Sequence, residues 1–131
     1  VCAAMDARRH QIYNARFQVD GQCPRRLTPD RAISLDDLVQ ELAGTQTPQL
    51  VVGDGAQLCY DALTAAGIPA VLAPPNLRMQ SAWGVARQAL ALAQAGQTLS
   101  PAQLVPVYHR LSQAERERLE REQAAQTPHP Q

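Results

Sequence analysis

The sequence predicts an α/β domain: a mixed sheet of about five strands, opening as an antiparallel meander and continuing through β-α-β units, with flanking helices. Three observations carry this. Residues 13–19 alternate, with Tyr13, Ala15, Phe17 and Val19 on one face and Asn14, Arg16 and Gln18 on the other, which is the period of a strand. Two short apolar runs, Leu50–Val52 and Ala70–Leu72, are bounded by glycine or proline. Between and after them lie segments with apolar residues at helical spacing.

Taken in order, the apolar run Val1–Met5 is the first strand. The bend "DARRH" at 6–10 joins it to the second, which ends at "VDGQ", 19–22. Asp20-Gly21 supplies the positive φ angles of a two-residue hairpin turn, so a third strand over Cys23–Thr28 should run antiparallel to the second. Ser34 is the expected N-cap of a helix. Asp36 and Asp37 suit its positive end, Leu35, Leu38, Val39 and Leu42 share its inner face, and Gly44 closes it. Strand Leu50–Val52 ends in the bend Gly53-Asp54-Gly55, with Asp54 read as the N-cap of a helix over 56–66. Leu58, Ala62, Leu63 and Ala66 are placed inward on that helix, and Gly67 stops it. Pro74 and Pro75 end the strand Ala70–Leu72.

Residues 80–95 are an Ala-rich helix whose small side chains suit close packing on a sheet, ended by Gly96. The run "SPAQ" at 100–103 reads as a helix start, and 104–110 as extended. "SQAE" at 112–115 is a capping box opening a charged helix to about Gln123. There Glu117–Arg121, Arg116–Glu120 and Arg118–Glu122 stand at i,i+4, as suits a solvated helix or a partner surface. Residues 127–131 read as a disordered tail. The division is thus a subdomain over 1–111 and an appendage over 112–131. A meander followed by alternating helices and strands is the order of the ribonuclease-H-like fold, which is also the repeated half of actin-like and sugar-kinase-like proteins. That analogy carries fold and not function.

At 131 residues with 45% hydrophobic content, the chain suits one domain with a single core. No apolar run approaches a membrane span, and no signal peptide is visible. The charge is balanced, 12 basic against 12 acidic, and every basic residue is Arg; such a chain has no global field to gather nucleic acid. The first 31 residues are locally basic, with Arg8, Arg9, Arg16, Arg25, Arg26 and Arg31 against Asp6, Asp20 and Asp30. They read as a solvated strand edge or as a contact for phosphate or an acidic partner. Cys2, Cys23 and Cys59 are odd in number and lack C-x-x-C spacing, which fits a reduced, cytoplasmic protein. His10, His109 and His129 have no metal-ligand spacing.

Three constellations bear on chemistry. Asp6, Glu41 and Asp54 are the carboxylates that a ribonuclease-H-like sheet could bring around two Mg²⁺ ions for phosphodiester cleavage. Against this, Glu41 sits late in its helix, and Arg8 and Arg9 beside Asp6 suggest a charge-paired turn. "GDGA" at 53–56 could hold an anion at a helix start, but it is neither a dinucleotide-binding nor a Walker motif, and a tight strand-to-helix turn explains it. Tyr108, His109 and Arg110 form a polar cluster after an apolar run, as a strand end also would. Neither a Ser–His–Asp or Cys–His spacing nor an H-E-x-x-H motif supports a protease.

"MDARRHQIYNARF" at 5–17 resembles the "MDARRGEVYWA" type of signature that opens the second half of TsaB (YeaZ) proteins. "VVGDGAQLCYDAL" at 51–63 is similar to their "GDGA…Y" segment, and "LVPVYHRLSQAERER" at 104–118 to their "P-x-Y-x-R…A-E-R" ending. The three agree in order and spacing and span nearly the whole chain; the first and third are the more specific. The resemblance implies an actin-like ATPase subdomain from a lineage once labelled glycoproteases. It implies a non-catalytic paralogue of TsaD that acts as scaffold and activator. TsaD, with TsaB and the ATPase TsaE, transfers a threonylcarbamoyl group from an adenylate to the tRNA adenosine next to the anticodon.

By that resemblance the chain carries no catalytic residue and no metal or other cofactor. It meets TsaD and TsaE through the full-length protein and tRNA only indirectly, with no membrane partner; a homodimer is a further option. The family's "IDTS"-like first strand and "GPGSFTGLR"-like loop are not in these residues, so the resemblance implies a C-terminal half whose partner contacts lie chiefly in the other half. Its candidate structural and cleft residues are Asp6, Arg8, Arg9, Gly53, Asp54, Gly55, Tyr108 and Arg110. The expectation is that Asp6 orients Arg8 or Arg9. His10 stands where the family often has Gly, which implies a looser bend.

Overall fold

The structure, a computed structural model, describes residues 1–21, 24–109, 115, 118, 121 and 122. Its first strand, β1 (Cys2–Asp6), pairs antiparallel with β2 (Gln11–Gln18), Cys2 opposite Arg16 and Asp6 opposite Ile12. The far edge of β2 is covered twice. The short β3 (Arg25–Arg26) lies against Phe17 and Gln18, and β4 (Arg31–Ser34) against residues 11–14. The expected third strand over 23–28 is therefore shorter than read, and β4 follows it on the same edge. Pro29, which lacks a ladder donor, sits in the break, and the Thr28 hydroxyl accepts the Arg16 N–H at 2.9 Å. The connection from β2 also differs from a two-residue hairpin. Gln18 pairs with Arg25 across six residues, and Gly21 is not in the left-handed region, so Asp20-Gly21 does not form the turn read from it.

Helix α1 (Leu35–Leu42) leads directly out of β4. Ser34 caps it as expected, its hydroxyl accepting the Asp37 N–H at 3.0 Å. β5 (Gln49–Val52) then joins the other edge of β1 in parallel. After α2 (Ala56–Ala65), β6 (Ala70–Leu72) adds in parallel to β5. The spatial order is β3-β2-β1-β5-β6, with β4 beside β3 on the edge of β2. The protein is thus α/β, with a mixed six-stranded sheet and flanking helices.

The core lies between one sheet face and α1 with α2. It is built from Cys2, Ala4, Ile12 and Val51 of the sheet, Leu35, Leu38 and Leu42 of α1, and Ala56, Cys59 and Leu63 of α2. On α2 the buried stripe is Ala56, Cys59 and Leu63. Leu58 and Ala66, read as inward, are exposed, because the helix packs through a face rotated from the one its larger apolar residues suggest.

A four-residue helix, α3 (Pro75–Arg78), follows β6, and α4 (Ala82–Gln94) starts with Ser81 as cap. α4 buries none of its residues, contrary to the close sheet packing its composition suggested. A gap of about 740 Å³ separates Gln88 and Ala91 of α4 from Ala3, Phe17 and Val52 on the second sheet face. Its larger apolar side chains, including Trp83, Val85 and Leu90, face solvent.

Residues 100–104 make a single turn rather than a helix, and residues 104–108 are irregular. Of the expected charged helix, 115, 118, 121 and 122 are described and helical, and Arg118 Nε donates to Glu122 Oε1 at 3.0 Å. The capping box at 112–115, the other two i,i+4 pairs and the tail at 127–131 fall wholly or partly outside the described residues. Among the described residues no helix is long and apolar enough to cross a membrane.

Candidate functional site

β1 and β5 are parallel, so Asp6 and the bend Gly53-Asp54-Gly55 leave the sheet at the same edge. The two segments touch because both glycines lack a side chain. A Cβ on Gly53, whose φ is +105°, would stand 2.0 Å from the Ala4 carbonyl oxygen, and one on Gly55 would stand 2.8 Å from the Asp6 nitrogen. Gly55 N–H donates to Ala4 O at 3.0 Å, and Gly53 N–H to Arg78 O at 2.6 Å. Asp54 does not cap α2. Gly55 is the N-cap, while Asp54 Oδ1 accepts the Asp6 N–H at 3.2 Å and the Gln80 amide at 3.3 Å.

The turn beyond β1 is tighter still. Asp6 Oδ1 accepts the Arg8 N–H at 2.7 Å, an Asx turn, while Oδ2 accepts from Arg8 Nη1 at 3.2 Å. Arg8, Arg9 and His10 all have left-handed φ values of 64°, 53° and 57°. Each such residue with a Cβ costs about 1–2 kcal/mol, so the surroundings must hold them there. Three backbone bonds do so at 3.0 Å each: Ala7 N–H to Gln11 O, Gln11 N–H to Arg8 O, and Leu35 N–H of α1 to His10 O. His10 takes a positive φ itself.

Asp6, Arg8, Arg9, Gly53, Asp54 and Gly55 are therefore brought to one edge, with Asp6 orienting Arg8. Gln80 joins them, and nothing in its sequence context marks it. The Arg8 side chain is 86% exposed. The edge is a bend tipped with two solvent-facing arginines, suited to holding an anionic group or an acidic surface.

Tyr108 is elsewhere. With Val107 and His109 it lines a cavity of about 410 Å³ over Tyr13, Ala15 and Phe17 on the second sheet face. Arg110 lies outside the described residues.

Glu41 is also elsewhere. Its carboxylate accepts from Arg16 Nη1 and Arg31 Nη1, both at 2.7 Å. Hydrogen bonding from Arg31, and then from Arg16, holds its carboxyl below the usual range. Arg16 pairs with Cys2, at the opposite end of β1 from Asp6, and four strand residues span about 13 Å. The three carboxylates of the nuclease reading are not brought together. Among the described residues no three or more His, Cys, Asp or Glu side chains group as metal ligands. The basic N-terminal lobe is largely answered locally: Arg8 pairs with Asp6, Arg26 with Asp30, Arg16 and Arg31 with Glu41, and Arg25 donates to Gln18.

Sequence reasoning missed Asn14, which is buried on the core face. Its Oδ1 accepts from Arg31 Nε and Nη2 at 3.3 and 3.1 Å, and its Nδ2 donates to Ala3 O at 2.9 Å and Cys2 Sγ at 3.3 Å. Its place in the alternation, on one face with Arg16, is the only signal the sequence offers. No family model and no curated protein sequence matches the chain.

Proposed function

We propose that the protein is a TsaB-like accessory subunit that supports a TsaD-like transferase in placing threonylcarbamoyl on the tRNA adenosine next to the anticodon, and that it performs no chemistry of its own. One observation carries this reading: two of the three segments that resemble the family, "MDARR" and "GDGA", meet at one edge. They are joined through the Asp6–Asp54 and Ala4–Gly55 hydrogen bonds. A turn held in a left-handed row by three backbone hydrogen bonds and an Asp6–Arg8 pair is a preformed contact surface.

The element order, a meander followed by alternating helices and strands, supports a ribonuclease-H-like subdomain of the actin-like type. In this reading the subunit is cytoplasmic, works with TsaD-like and TsaE-like proteins, and meets tRNA only through them. Deleting the gene and weighing the nucleosides of bulk tRNA tests the function. Threonylcarbamoyladenosine should fall several-fold and return with the wild-type gene; an unchanged level counts against the reading.

A further inference from the structure

The Sγ atoms of Cys2 in β1 and Cys59 in α2 lie 3.9 Å apart, both side chains are fully buried, and neither is bonded. Ordinary core packing would surround such a pair with apolar groups. Here a polar chain runs up to it. Glu41 holds Arg31 at 2.7 Å, and Arg31 donates twice to Asn14 Oδ1 at 3.3 and 3.1 Å. Because Arg31 can only donate, the Asn14 oxygen must face it, and the amide nitrogen is turned to Cys2 Sγ at 3.3 Å. A fixed N–H donor on a buried sulfur favours its thiolate, the form that attacks disulfides.

We propose that Cys2 and Cys59 are a dithiol–disulfide pair, closed by exchange with a low-molecular-weight disulfide such as oxidised glutathione, and that closure ties β1 to α2. The Cys2 thiolate attacks one sulfur of glutathione disulfide and expels one glutathione thiolate. Cys59, having lost its proton to solvent, attacks the Cys2 sulfur of the mixed disulfide and expels the second. Two protein thiols are oxidised and one glutathione disulfide is reduced to two glutathiones. Closure brings the sulfurs from 3.9 Å to a bond length of about 2.05 Å. The pair's environment agrees in direction. Hydrogen bonding with Cys59 and with Asn14 lowers the Cys2 thiol below its usual value, and Cys59, hydrogen-bonded to Cys2 and desolvated, is pushed up.

Full burial means that exchange runs through opened molecules, so the chain should fold in the redox buffer. The 131-residue chain with Cys23→Ser is unfolded, reduced, and refolded across a series of glutathione ratios. It is then denatured with N-ethylmaleimide and weighed. At the oxidised end the proposal expects a chain two hydrogens lighter that takes no maleimide and melts higher than its reduced form. As a check independent of that substitution, the oxidised unmodified chain is digested with trypsin, and Val1–Arg8 should be joined to Ala32–Arg78. A chain that folds at every ratio yet takes two maleimides overturns the proposal. So does a disulfide found only to Cys23, or an oxidised chain that melts lower than the reduced one.

Discussion

Gly55 lies so close to the end of β1 that a Cβ on it would stand 2.8 Å from the Asp6 nitrogen, while its own N–H donates to the Ala4 carbonyl at 3.0 Å. The contact fixes the bend after β5 onto the strand that carries the Asp6 turn, so the candidate site depends on two missing side chains. Gly55→Ala should cost roughly 2–3 kcal/mol of stability, because backbone on both sides cannot give way. Gly53→Ala should cost more, since it adds a positive φ of 105° to a 2.0 Å clash with Ala4 O. Urea unfolding of both variants checks the order; equal and small losses would contradict it.

His10 is the third residue in a left-handed row, at φ 57°. Glycine removes most of that strain but adds freedom to the unfolded chain. His10→Gly should therefore stabilise the protein by about 0.5–1 kcal/mol, and His10→Val should destabilise it by a similar amount or more. The two urea midpoints should move in opposite directions.

Glu41 bridges Arg16 and Arg31 with its carboxyl held below the usual range. A depressed folded value contributes stability above the unfolded value, about 4.3, and loses it as pH falls through the folded one. At pH 7 wild type should exceed Glu41→Gln by about 1 kcal/mol, a modest figure because the pair is partly solvated. The gap should close as pH falls below about 4. Unfolding of both proteins at pH 7 and pH 3 measures it; a gap that stays constant contradicts the role given to the carboxylate.

Asn14 satisfies Arg31, Ala3 and Cys2 from inside the core. Asn14→Ala leaves the Ala3 carbonyl and the Arg31 guanidinium without that partner, and should cost about 2 kcal/mol. A cost below about 0.5 kcal/mol would place the amide outside the stabilising network.

These residues also mark where the sequence was legible. α1 could be read because cap, charge and apolar period agree on one segment, Ser34 to Leu42. The Asp6–Arg8 pairing could be read because it is local. β4 could not: its four half-buried residues, Arg31–Ser34, run straight into the helix cap, and only pairing across to Gln11–Asn14 makes them a strand. Alternation in β2 showed two faces but not which one α1 would cover, so Asn14 was not identified as a core residue. α4 has small residues and helical period, yet whether it seats on the sheet depends on tertiary fit, which composition does not contain.

The arginine tip should matter to binding and little to folding. Arg8→Ala with Arg9→Ala removes an 86%-exposed side chain and its neighbour, so urea stability should change by less than about 1 kcal/mol while partner affinity falls. Unchanged affinity would remove the tip from the contact surface.

The most direct test of the proposed role is co-purification. The protein is tagged in its own cells and its bound proteins are identified by mass spectrometry. The account predicts a TsaD homologue among them. A folded, abundant bait that brings down no TsaD homologue would contradict it.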